Sequence, residues 1–387
     1  MTKTWTTALA AGLLLLCCAQ ARAQPITPGR DDEVIEVLPA SSGSRDEDRR
    51  LRKQLASRPD DARLAVTVAR RDLERAREAG DPRFAGLALA ALRPWLDAAT
   101  APSEVLLMRA TLQQYLHEFD ASVASLHRLL GRPGGDRMAQ AWLTLATVLR
   151  VQGRYAESDD ACHRVGVAGA QLHASACLAE NAALRGDVGS ARKTFESLLA
   201  DPRLPAATRG WLLTSVAELE ERDGHAVAAD VAFRGVLQLG PDSYAAVDYA
   251  DFLVSQHRPA EALKVLEDET RTDAVLLRLA IAGTRAGAPT APRDVAEMRD
   301  RIELANLRPD AQKFHGREQA MFALFVEHDP ARALQLARGD VEHQREALDV
   351  LVLAQAAKAS AEPQAIEQAR RLQASLGLHD RRIDALF

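Results

Sequence analysis

A chain of 387 residues with 47% hydrophobic residues can bury a large core, yet aromatics are only 4%, so that core must come from Ala, Leu and Val. Such residues suit closely packed helices, because Ala and Leu carry high helix propensity and small side chains let backbones approach; strand signals are scarce. The net charge of −5, with no basic stripe interleaved with aromatics, disfavours nucleic acid as a partner.

In chain order, Lys3 precedes an apolar run over residues 8–19, followed by Ala21-Arg22-Ala23. This reads as a secretory signal peptide over residues 1–23 with cleavage after Ala23. A spanning helix needs ~20 apolar residues, more than this run supplies, and no other segment is apolar enough. Cys17 and Cys18 raise a lipoprotein alternative, but Leu16 or Cys17 would then stand where a small residue is normal. Loss of Lys3 and Arg22, with no acid, leaves 47 basic and 54 acidic residues, a net of −7. Only six of 49 basic residues are lysines, a compositional hint of a GC-rich bacterial genome. The expected location is the bacterial periplasm or beyond it.

Residues 24–50 carry Pro25, Pro28, Pro39 and a Ser/Gly run, and read as a flexible, disordered leader. Within it, residues 31–38 form a short apolar patch flanked by acids that could pair with a partner or fold back. Helical pattern begins near Leu51. Residues 61–79 and 83–96 form a first hairpin of atypical pattern, so 51–102 is expected to be an N-terminal capping unit.

Beyond it a frame recurs. Gly153, Gly186, Gly224 and Gly287 are each preceded by a small residue seven positions earlier, Ala146, Ala179, Ala217 and Ala280. Ser158, Ala191 and Ala229 follow at one matched offset, and Cys162, Phe195 and Phe233 at another. A period in the mid-thirties is that of stacked helix pairs. Units start near Ser103, Ala139, Leu172, Gly210, Ser243, Asp273, Phe314 and Glu346, clear over 103–272 and degenerate over 273–387. His117, His257 and His328 replace the turn glycine, and Thr290 to Arg293 interrupt the sixth unit. Residues 380–387 read as a final short helix over the last apolar face.

Trp142, Leu145, Ala146, Leu149, Gly153 and Tyr155, with Leu213, Val216, Ala217, Gly224, Ala229, Phe233 and Pro241, give a pattern that resembles the tetratricopeptide (TPR) family. The resemblance implies an all-α, right-handed superhelical solenoid of antiparallel helix pairs, working as a non-catalytic scaffold that binds a protein or peptide in its concave groove. It also implies that the first helix of each unit lines that groove. On this chain those positions include Tyr115, Arg150, Trp211, Glu218, Glu221, Tyr244, Asp248 and Asp251, an acidic wall with two aromatics at one offset in consecutive units. Some family members grip a C-terminal carboxylate with Lys and Asn; the mapped wall has neither, Asn181 falling one position off. An extended exported or membrane protein segment of basic or mixed charge fits better. The alternative for the aromatic and acidic set is packing and solvated surface.

No Gly-rich phosphate loop, nucleophile elbow or His-Glu-x-x-His motif occurs, so no catalytic residue and no cofactor are expected. Cys162 and Cys177 could bridge, but the frame puts Cys162 at a buried second-helix position and Cys177 on the groove side, so two unpaired thiols are favoured. The pair His173 and Cys177, at i and i+4, marks the alternative of a small-ligand or metal-binding solenoid; a structural metal site wants four ligands.

Overall fold

The computed structural model describes residues 43–96, 100–307 and 311–387, the side chains of 43–45 and 311–315 excepted. The signal peptide with its cleavage point, the Cys17-Cys18 pair and the patch over 31–38 lie outside the described residues. The chain divides into a unit over 1–50 and a compact unit over 51–387. Where the pattern places the first helix near Leu51, α1 spans Gly43–Ser57 instead, so 43–50 is helix rather than linker. Its extra turns are charged residues with local pairing, such as Arg49 with Asp46 at 3.8 Å.

Among the described residues all regular structure is helical. A first pair, α2 (Ala62–Ala79) and α3 (Pro82–Ala91), precedes α4 (Ser103–Tyr115) and α5 (Phe119–Leu130). Then come α6 (Ala139–Val151), α7 (Tyr155–Val167), α8 (Gln171–Leu184), α9 (Val188–Leu199), α10 (Ala206–Arg222) and α11 (Ala226–Leu237). The C-terminal half holds α12 (Ser243–Ser255), α13 (Pro259–Val265), α14 (Asp273–Ala286), α15 (Ala291–Asn306), α16 (Ala311–Phe325), α17 (Pro330–Asp340), α18 (Ala347–Ser360), α19 (Pro363–Leu376) and α20 (Arg381–Asp384). No helix among the described residues is long and apolar enough to cross a membrane.

The recurring small residues sit where the helices of each hairpin cross. Ala110 with Ser122, Ala146 with Ser158, Ala179 with Ala191 and Ala217 with Ala229 are buried pairs twelve residues apart. In the first two the serine hydroxyl donates to the partner alanine's carbonyl oxygen at 2.8 Å, so each polar group is satisfied at close approach. Cys162, Phe195 and Phe233, all fully buried, fill the wider space beyond the crossing. Each helix then buries its remaining apolar face on the next unit, giving a nearly continuous core.

Caps and turns set the ends. Asp61, Asp187, Asp242 and Asp329 accept backbone N–H bonds at helix starts, and Pro259, Pro330 and Pro363 stand in first turns, where a missing N–H costs nothing. The turn glycines at 153, 186, 224 and 287 have φ between 64° and 94°. His117, His257 and His328 take the same left-handed conformation, at 56°, 59° and 55°, although it disfavours a side chain. The substitution of histidine for glycine therefore changes the residue and keeps the turn.

Candidate functional site, an acidic concave trough

Helices α10 and α12 hold most of the mapped wall. Trp211, Glu218 and Glu221 on α10, and Tyr244, Asp248 and Asp251 on α12, recur every three to seven residues and so share one face of each helix. Tyr244 OH donates to Glu218 Oε1 at 3.2 Å, and Arg222 lies 3.5 Å from Glu218. Glu180 on α8 forms an ion pair with Arg150 and accepts from Ser215 Oγ at 2.6 Å. Asp251 is clasped by Arg278 of α14 through contacts of 2.7 to 3.1 Å. Among the described residues, Asp248 alone of this wall's acids has no ion pair or hydrogen bond. Trp211 is half-buried and stacks on His173 at 5.6 Å between ring centroids. Tyr115 stands apart: its hydroxyl donates to Ala76 O at 3.1 Å, tying α4 to α2.

The acids on this wall outnumber the cations that reach them. Burial raises the Glu218 carboxyl, and the negative charges of Glu180 and Glu346 add to it against Arg222. Asp248 is pushed well above the usual carboxylate range by burial, then by Glu218 and Asp251. Asp248 and Glu218 together hold the Tyr244 phenol well above its ordinary value, although Tyr244 is 64% exposed. The ring stays in solvent while acids of both α10 and α12 stand beside its hydroxyl.

One edge of that trough is closed by the chain itself. Arg345 N donates to Val151 O at 2.7 Å and His379 N to Leu184 O at 2.7 Å, so C-terminal segments seat on the ends of α6 and α8. At the next turn, Arg382 pairs with Glu221 at 2.8 Å, while His379, Arg381 and Arg192 reach Asp223 at 3.2 to 3.3 Å. Burial works to raise the Asp223 carboxyl, but its bonds from His379 and Arg192 outweigh this and hold it low. The approach is close: a Cβ on Gly153 would lie 2.5 Å from Leu376 Cδ2. Three successive turns are thus held by C-terminal elements, the first by Arg345 and Leu376 and the next two by the strap over residues 379–382. Helix α20 buries Ile383, as its expected capping role requires, and also carries the strap's arginines. Glu221, mapped to the groove wall, pairs here with Arg382 of the C-terminal segment and so holds that segment in place. The signal was present in His379-Asp380-Arg381-Arg382, a basic run that matches Glu221 and Asp223.

The C-terminal side brings its own buried charges. Arg317 of α16 pairs with both Asp349 and Glu346 at the start of α18, where Glu346 N also donates to Asp349 Oδ2 at 2.7 Å. Asp340, at the end of α17, is pushed up to about 9 by burial and by Asp349 beside it, so it is neutral at pH 7. An unfolded aspartate titrates near 3.9, so the folded state keeps a proton that the unfolded state has lost. Stability from this group is fully present below about pH 4 and falls as pH rises towards 9. Asp340→Asn should keep the neutral hydrogen-bonding form and flatten the decline between pH 5 and 8 by at most ~1.4 kcal/mol per pH unit. Urea unfolding across that range checks this; an unchanged slope counts against a protonated Asp340.

Cys162 and Cys177 form a disulfide, with Cα atoms 5.8 Å apart. This corrects the expectation of two free thiols. The frame assigns faces within one unit, but α7 and α8 pack across the seam between units, and both cysteines are buried in that seam at 0% and 1% exposure. A bonded Cys177 has no thiolate to offer, and His173 faces Trp211, so the His173/Cys177 metal reading falls. Ligand atoms of Glu220, Asp223 and His225 do lie within 4.8 Å of one another. Arg192 occupies their midst, 2.6 Å from Glu220 and 3.1 Å from His225 Nδ1, and supplies the positive charge a metal would bring.

No protein-family model and no curated protein matches the chain. Among solved structures, the chain is similar to the crystal structure of the P58(IPK) TPR domain, at 15% identity over 95% of this chain and 98% of that one, with a TM-score of 0.21. A likeness at that score adds nothing to the fold, which stands on the helix pairing described above. By that pairing the chain is an all-helical, tetratricopeptide-like repeat array.

Proposed function

We propose that this chain is a non-catalytic interaction scaffold, exported to the bacterial periplasm, that receives a cationic or mixed-charge segment of an exported or membrane protein in its acidic trough. Asp248 carries the reading: a carboxylate with no cation of its own, beside exposed Tyr244 and among further acids. A lysine or arginine placed there offsets the repulsion and burial that hold the Asp248 and Glu218 carboxyls up and favours their charged forms, and Tyr244 and Trp211 supply the aromatic surface that binding segments use. The disulfide supports export, because such bonds persist in oxidising compartments. The leader's composition supports it as well.

The test uses a fluorescent, lysine-rich extended peptide and the full oxidised protein. Binding should weaken with salt and fall about tenfold in Asp248→Asn, as loss of a charged hydrogen-bond partner of ~1.4 kcal/mol implies. Asp251→Asn is a poorer probe because it frees Arg278. Equal binding of a glutamate-rich peptide, or of Asp248→Asn, refutes the reading.

A further inference from the structure

Behind the Glu221–Arg382 latch lies a second feature, which shares Glu221 and Asp251 with the trough wall. A cavity of about 360 Å³ opens at the turn ends of α12, α14, α16 and α18. Its apolar wall comes from Phe252, Ile281, Met321, Phe325, Leu351 and Val352. The volume is in the range of small-molecule sites, and the composition matches theirs, apolar with a few convergent polar groups.

The polar groups narrow the ligand. Two acids line the cavity and both are already paired, Glu221 with Arg382 at 2.8 Å and Asp251 with Arg278 at 2.7 Å. Arg382 is further held by Asp380 at 2.6 Å. Arg285 differs. Its side chain lies over the Phe325 ring, 5.4 Å from the centroid, and among the described residues it has no carboxylate partner. Among the described residues, the half-buried Gln355 amide in the same wall also has no hydrogen-bond partner. An apolar pocket with an exposed guanidinium at its mouth that no carboxylate holds, and a half-buried amide in its wall, favours a ligand with an apolar body and an anionic head.

We propose that this cavity binds a small anionic amphiphile, a carboxylate on an unbranched hydrocarbon chain, with its head at Arg285 and Gln355 and its chain against Phe252, Ile281, Met321 and Leu351. Its head-group residues, Arg285 and Gln355, are not among those proposed to meet a cationic segment, and Asp248 and Tyr244 do not line it. Asp248→Asn should leave it untouched.

The probe is decanoate below its micelle concentration, titrated calorimetrically into the full oxidised protein. Expected is saturable one-to-one binding, weakened at least about tenfold in Arg285→Gln, with decanol, which lacks the charge, weakened similarly. Ala226→Trp, which fills the cavity from its rim, should abolish binding; an unchanged helical circular dichroism spectrum and melting curve show that the variant folds. Absence of saturable binding to the wild-type protein overturns the proposal. So does decanol binding as tightly as decanoate, or an Arg285→Gln variant that binds like wild type.

Discussion

Arg317→Met should destabilise the C-terminal half by about 3–5 kcal/mol, the effect of removing one partner from a buried ion pair. Arg317 is the cation for Asp349, which is fully buried, and for Glu346. Burial, with Glu346 beside it, raises the Asp349 carboxyl against the pull of Arg317, whereas Arg317 outweighs burial at Glu346 and holds that group low. Methionine fills much of the volume and removes the charge, so the loss reports electrostatics more than packing. In the double variant Arg317→Met with Asp349→Asn no uncompensated charge remains at 349, and part of the stability should return. Denaturant unfolding of the four proteins of the cycle measures the coupling; purely additive effects contradict the pairing.

Reduction of the Cys162–Cys177 bond, or Cys162→Ala with Cys177→Ala, should cost about 3 kcal/mol, the chain-entropy value for a loop of this size. The bond closes fifteen residues and joins α7 to α8 across a unit boundary. In a repeat array the loss should be local, so amide exchange should quicken most in α7 and α8 and least in α2 to α4. Hydrogen exchange followed by mass spectrometry, with and without reductant, resolves this. Equal protection in both states means the bond adds no stability at the seam.

The sequence carries the local part of this architecture because its repeat is local. Ala146, Ser158 and Gly153 each answer to a contact or a turn within one hairpin, so their spacing is sufficient to find it. The histidines at 117, 257 and 328 were legible for the same reason, since each stands at a turn that the frame already marks. Contacts between units are less legible. Cys162 and Cys177 meet in a seam whose geometry depends on how one hairpin rotates on the next, a quantity that no single hairpin encodes. Asp251 and Arg278 likewise pair between consecutive first helices, which turns a predicted free acid into a structural one. The strap is least legible of all. Asp223 and His379 are 156 positions apart, and their meeting depends on the summed rotation of every unit between them.

Closure of the trough's turn edge rests on the chain's own C-terminal segment. The backbone N–H groups of Arg345 and His379 test it most directly, because each donates to a carbonyl on a helix far away in sequence. Residue-resolved amide exchange on the full oxidised protein should show both protected, and deletion of residues 377–387, which removes His379 itself, should leave Arg345 protected. Exchange of both amides at the rate of an open loop in the intact protein would contradict the closed trough.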